Sequence, residues 1–89
     1  MLKEEEKLTM SNNEIYNKAF IDTLSLKEEQ LTDELTYQSI AEWDSVGHMS
    51  LVSALEDAFD IMMDTNDIID FSSYGKGKEI LQKYNISFD

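Results

Sequence analysis

The chain has 89 residues with no cysteine, which predicts one small domain held by packing alone, without a disulfide framework or a thiolate metal site. Seven lysines, no arginine and nineteen acids leave a net charge of -12. Such a surface repels nucleic-acid phosphates and anionic lipid headgroups and suits proteins with basic patches, or cations, so salt-sensitive docking to proteins is expected.

Residues 1–10, MLKEEEKLTM, contain no apolar run long enough for a signal peptide or membrane span and lack the basic, acid-poor pattern of a transit peptide. They read as a frayed leader on a cytoplasmic protein, ahead of a domain over residues 11–85 and a tail over 86–89. Ser11 followed by Glu14 has the capping-box spacing, which starts a first helix over about residues 12–24. Ile15, Ala19, Phe20, Thr23 and Leu24 recur at helical spacing as its apolar stripe, with Tyr16 at the margin.

Residues 25–43 lose that period. Leu26, Leu31, Leu35, Tyr37 and Ile40 stand among polar residues and predict a long loop pinned to the core by those side chains, with room for a helical turn or two near residues 27–35. Asp44 can cap the next helix, placing Ser45 in its first turn and running it over about residues 45–59. Leu51, Leu55 and Phe59 fall at i, i+4 and i+8 and predict the buried line; Val46, Met49 and Ser53 lie on a second line, nearer the serine and less buried.

Ile61, Met62 and Met63 form a short apolar run, and Asp64, Asn66 and Asp67 offer caps for a short third helix near residues 67–71. Gly75 and Gly77 each weaken a fourth helix by about 1 kcal/mol relative to alanine. That helix is predicted to start weakly after Ser72 and Ser73, carry Ile80, Leu81 and Tyr84, and end near Asn85. No strand-like alternation occurs, so the fold class is all-α, a bundle of three longer helices and one short one with a long loop between the first two.

The stretch EWDSVGHMSLVSALEDAFD, residues 42–60, resembles the attachment site of the acyl carrier protein family, in which the serine of an Asp-Ser-Leu or Asp-Ser-Val sequence carries 4′-phosphopantetheine. The likeness spans residues 12–84, is specific only over residues 43–59, and is nearer to discrete, stand-alone carriers than to the housekeeping fatty acid carrier. It implies a four-helix bundle of that type, a monomer, with Ser45 as the attachment residue and Asp44 as its motif partner. The chain would be a substrate of a phosphopantetheinyl transferase and not itself an enzyme. It would pass an acyl, aminoacyl or hydroxyacyl thioester between loading and processing enzymes with basic docking patches. The resemblance places Val46, Met49, Glu56, Asp57 and Ile69 at the partner face, and Leu51, Leu55, Phe59, Met63, Ile68 and Phe71 in the core around the acyl pocket. Gly47 and Ser50 depart from the family by standing where many fatty acid carriers have acids, and Gly77 replaces a usual apolar side chain, which would loosen or enlarge the inner pocket.

The residues taken alone leave other readings. Asp44-Ser45 on its own is an ordinary helix cap, which makes a cofactor-free acidic interaction domain the alternative. His48 reads as a surface histidine on the first turn, or as a contact to the phosphate or a partner enzyme. A glycine-serine-glycine elbow is absent and His48 has no evident orienting partner, so Ser45 is not expected to act as a catalytic nucleophile. Residues 64–70, DTNDIID, match a calcium loop poorly because Ile69 stands where glycine is needed and Gly75 where glutamate is needed; a small calcium-binding protein is therefore the least favoured alternative, and no metal site is expected.

Overall fold

The computed structural model describes residues 10–88, and these form an all-α arrangement of four helices: α1 (Asn12–Leu24), α2 (Ser45–Phe59), the short α3 (Thr65–Asp70) and α4 (Tyr74–Gln82). The reading of residues 1–10 as a leader lies outside the described residues except at Met10. No described helix is long and apolar enough to cross a membrane.

Helix α1 starts on the expected capping box: the Glu14 N–H donates to Ser11 Oγ at 3.1 Å, and the Ser11 N–H donates to Glu14 Oε1 at 2.9 Å. Ala19, Phe20 and Leu24 of the expected stripe are buried, but the stripe is centred one residue further on, at Tyr16 in place of Ile15. Tyr16, Phe20 and Leu24 are buried at i, i+4 and i+8, whereas Ile15 and Thr23 are half-buried. Tyr16 is therefore central and not marginal. Its hydroxyl donates to the Tyr74 carbonyl at 2.6 Å, which satisfies the polar tip and lets the ring be buried. Burial, with a smaller push from Tyr74, raises its ionisation far above the ordinary phenol range.

Helices α1 and α2 pack on each other. Each ends in a left-handed residue that is not glycine, Ser25 at φ 56° and Asp60 at φ 54°. In both, the next N–H turns back to the helix, Leu26 to the Ile21 carbonyl and Ile61 to the Glu56 carbonyl.

The long connection holds one 3-10 turn, Glu28–Gln30, and is otherwise ordered by long-range bonds. Thr36 makes an isolated antiparallel bridge with Ser73, in which the Tyr37 N–H donates to the Ser72 carbonyl and the Tyr74 N–H to the Leu35 carbonyl, each at 2.9 Å. This seam ties the loop to the start of α4, where Ser73 Oγ also accepts the Lys76 N–H at 2.9 Å. The weak start expected of α4 is thus offset by a cap and a bridge.

The core is aromatic. Trp43 lies fully buried among Phe20, Phe71 and Tyr37, all edge-on to it, and Phe20 continues the cluster to Tyr16 and Tyr74. Gly77 does not open this interior. A Cβ there would land on Tyr16 Oη and the Phe71 ring, so those side chains already occupy the space that the sequence reading gave to an enlarged pocket. The tail joins the core as well: Ile86 is buried, Asn12 Nδ2 donates to the Ser87 carbonyl at 3.0 Å, and Phe88 meets Tyr16 edge-on.

Helix α3 is fastened through Asp67, the one buried acid among the described residues. Its carboxylate accepts from Lys83 Nζ and Tyr84 Oη, each at 2.6 Å, and Tyr84 Oη accepts the Asp64 N–H at 2.9 Å. The Lys83 bond first, and the Tyr84 bond second, hold the Asp67 carboxyl below its ordinary range, against an opposing push from burial. The native state therefore binds this proton less readily than the unfolded chain. Its stabilisation is fully present above the ordinary aspartate range and is lost as pH falls through the lowered folded value. Urea midpoints of parent and Asp67→Asn should accordingly differ most at neutral pH and converge on acidification. A difference independent of pH would contradict this linkage.

Candidate functional site

The amino end of α2 is set by its neighbours. Gln38, at φ 68°, donates its N–H to the Trp43 carbonyl at 2.9 Å, and the Trp43 N–H returns to the Ile40 carbonyl at 3.2 Å. This closed turn drives the Trp43 ring into the core. One residue later the chain is extended at Asp44, whose Oδ1 accepts the Gly47 N–H at 2.8 Å. Ser45 is then the first helical residue, and it is exposed.

Gly47 has a steric reason. A Cβ there would run into the Glu42 carbonyl and press on a Leu24 methyl at 3.2 Å, so the first turn of α2 can pass the preceding loop only without a side chain. An acid at this position is excluded by packing.

His48 is not a free surface histidine. It is half-buried, stacked on Trp43, and uses both ring nitrogens. Trp43 Nε1 lies 2.9 Å from His48 Nδ1, and His48 Nε2 lies 2.8 Å from the Ile68 carbonyl. An indole nitrogen can only donate, so Nδ1 is the acceptor and Nε2 carries the proton given to Ile68. Neither nitrogen is left to take a proton from Ser45. Among the described residues the side chain recorded against Ser45 Oγ is Tyr37, with its hydroxyl 3.3 Å away.

Around the serine, Val46 is 75% exposed, Met49 52% and Ile69 72%, so the three apolar residues expected at a partner face do stand in water together with Ser45. Asp57 is exposed. Glu56 is half-buried, and its Oε2 accepts the Met63 N–H at 2.9 Å, closing the turn after α2. Of the expected core residues, Leu51, Leu55, Met63 and Phe71 are buried, while Phe59 and Ile68 are half-buried at its edge. The sequence reading missed Trp43, Tyr74 and Val52, which are buried as deeply.

Between α2 and α3 a groove of about 320 Å³ runs from Ser45 and Tyr37 past Met49 to Ile68, Ile69 and Phe71. A second, shallower face on the other side of the serine is bounded by Val46, Met49, Ser50 and Ser53. Among the described residues no lysine lines either one. Within DTNDIID, Asp67 is taken by Lys83 and Tyr84, and no group of three or more histidine, cysteine or acidic side chains among the described residues is placed to hold a metal ion. Comparison of the chain with protein-family models, with curated proteins and with solved structures finds no match.

Proposed function

We propose that this chain is a carrier protein of the acyl carrier type, in which Ser45 accepts a 4′-phosphopantetheine arm from coenzyme A. The observation that carries the reading is Ser45 itself: an exposed hydroxyl on the first residue of a 15-residue helix, with His48 bonded at both ring nitrogens and so not placed to act as its base. That is a serine suited to be a substrate. The four-helix order with a short α3, and the exposed Val46, Met49 and Ile69 around the serine, support the same assignment.

The residues present fit such an arm. The Asp44 carboxylate binds the Gly47 N–H and the Asp44 carbonyl accepts the His48 N–H, leaving the N–H groups of Ser45 and Val46 without helical acceptors, where a phosphodiester is favoured. The groove beside Ser45 offers apolar lining to whatever hangs from it. When bound, the arm supplies a thiol that holds cargo as a thioester. The chain presents this hydroxyl and docks weakly through an acidic surface with an apolar rim, so that it leaves one enzyme for the next. Transferase, magnesium and coenzyme A perform the chemistry.

Intact mass tests the assignment after incubation with coenzyme A, magnesium and a broad-specificity phosphopantetheinyl transferase. The parent is expected to gain one phosphopantetheinyl group and Ser45→Ala none. No gain in a folded parent would return Ser45 to a plain helix residue. Val46, Met49 and Ile69 would then define a cofactor-free protein-interaction face.

A further inference from the structure

We propose that Tyr37 is a positioning residue for the modified serine: its phenol donates a hydrogen bond to the phosphodiester on Ser45 and directs the arm into the groove between α2 and α3. This rests on the reading of Ser45 as the attachment residue.

Tyr37 comes from the long loop, yet its hydroxyl is held 3.3 Å from Ser45 Oγ by three independent contacts. Its N–H is bonded to the Ser72 carbonyl at 2.9 Å, and its ring stands edge-on to His48, with centroids 5.4 Å apart, and to Trp43, at 6.4 Å. Trp43 is fully buried and His48 is bonded at both nitrogens, so the surface under the ring is fixed. The hydroxyl is pre-placed at the serine, on a residue that is itself half-buried.

In the unmodified chain either oxygen can donate. Esterification takes the proton off Ser45 Oγ and adds two non-bridging oxygens that share a negative charge. The contact then persists only with Tyr37 as donor, and a bond to a charged acceptor is about twice as strong as one between neutral groups. Among the described residues no lysine lines the surfaces next to Ser45, and the phenol and the first-turn N–H groups are the donors placed to face the phosphate. Direction follows from position. Tyr37 borders the groove that leads to Ile68, Ile69 and Phe71 and does not border the shallow face of Val46, Ser50 and Ser53. A diester held by Tyr37 has its continuing arm on the α3 side.

The test uses the full-length chain with and without the arm, as parent and as Tyr37→Phe, which keeps the ring. In the parent, adding the arm should shift the methyl resonances of Ile68 and Ile69, which line the groove alone, more than those of Val46, which lines the shallow face alone. The phosphorus resonance of the diester should move between parent and Tyr37→Phe at equal melting temperature. A phosphodiesterase that releases such arms should act about threefold to tenfold faster on Tyr37→Phe, the size expected from losing one charge-assisted bond at a partly exposed site. Arm-induced methyl shifts at Val46 with none at Ile68 and Ile69 in the parent would overturn the proposal without any variant. So would an identical phosphorus resonance and release rate in the two chains. Absence of any mass gain in the parent is a different failure, that of the attachment reading itself.

Discussion

Gly77→Ala is expected to destabilise the fold by about 2–3 kcal/mol, the reverse of what helix propensity predicts. In an exposed helix the exchange gains about 1 kcal/mol. At position 77 the new methyl would fall on Tyr16 Oη and on the Phe71 ring. Neither can retreat cheaply: Tyr16 is fully buried, donates to the Tyr74 carbonyl at 2.6 Å, and is packed against Phe20, Tyr74 and Phe88 at centroid distances of 4.9–5.3 Å. Overpacking a core costs about 1–3 kcal/mol, and pushing a buried hydroxyl off its acceptor costs about 1–3 kcal/mol more, so the steric terms outweigh propensity. Gly75→Ala, in the same helix, is the internal control. Its Cβ meets only the end of the Asp33 side chain, at 3.0 Å, so that variant should be neutral or slightly more stable than the parent. Urea unfolding of both variants decides the matter. A Gly77→Ala chain as stable as the parent would mean that the Tyr16–Phe71 contact is loose and that room exists in this part of the core.

Those two glycines show where sequence reading ends. A missing side chain says that space is needed, and says nothing of what fills it; the sequence alone suggested a void where the fold places a phenol and a phenyl ring. Helices α1 and α2 were readable because their signals are local: Ser11 and Glu14 three residues apart, Asp44 before a period of four. That Tyr16 and not Ile15 joins Ala19, Phe20 and Leu24 in the core was not, since both positions satisfy the period and only the partner surface chooses between them. The loop over residues 25–43, its turn and its pinning side chains were foreseen, but the backbone seam that orders it was not. Its order comes from pairing Leu35 and Tyr37 with Ser72 and Tyr74, contacts distant in sequence that leave no periodic trace. For the candidate site, position was legible and surroundings were not: Ser45 and Asp44 follow from the motif, but Tyr37 reaches the serine only through that long-range seam. Residues with exposed apolar side chains were foreseen correctly as a second line on α2, because burying Leu51 and Leu55 turns Val46 and Met49 outward.

His48→Ala should cost about 2–3 kcal/mol of stability and leave Ser45 as modifiable as before. The ring accepts from Trp43 Nε1 and donates to the Ile68 carbonyl, joining the turn before α2 to the six-residue α3, whose last carbonyls have no helical partners of their own. Truncation strands the indole N–H of a fully buried tryptophan, and an unsatisfied buried donor costs about 1–3 kcal/mol. The Ile68 carbonyl and the vacated volume beside Phe71 add to that. His48→Gln can accept and donate through one amide and should recover part of the loss, which separates the hydrogen bonds from simple packing. Against a typical total of about 5–15 kcal/mol the alanine variant stays folded, so its chemistry can be assayed. Amide exchange over residues 68–71 should quicken, and intact mass should still show one arm per chain after treatment with transferase and coenzyme A. An unchanged urea midpoint would refute the structural role. A folded variant that no longer takes the arm would restore His48 as a contact of the phosphate or the transferase, and would move the imidazole from the framework of the site into its working surface.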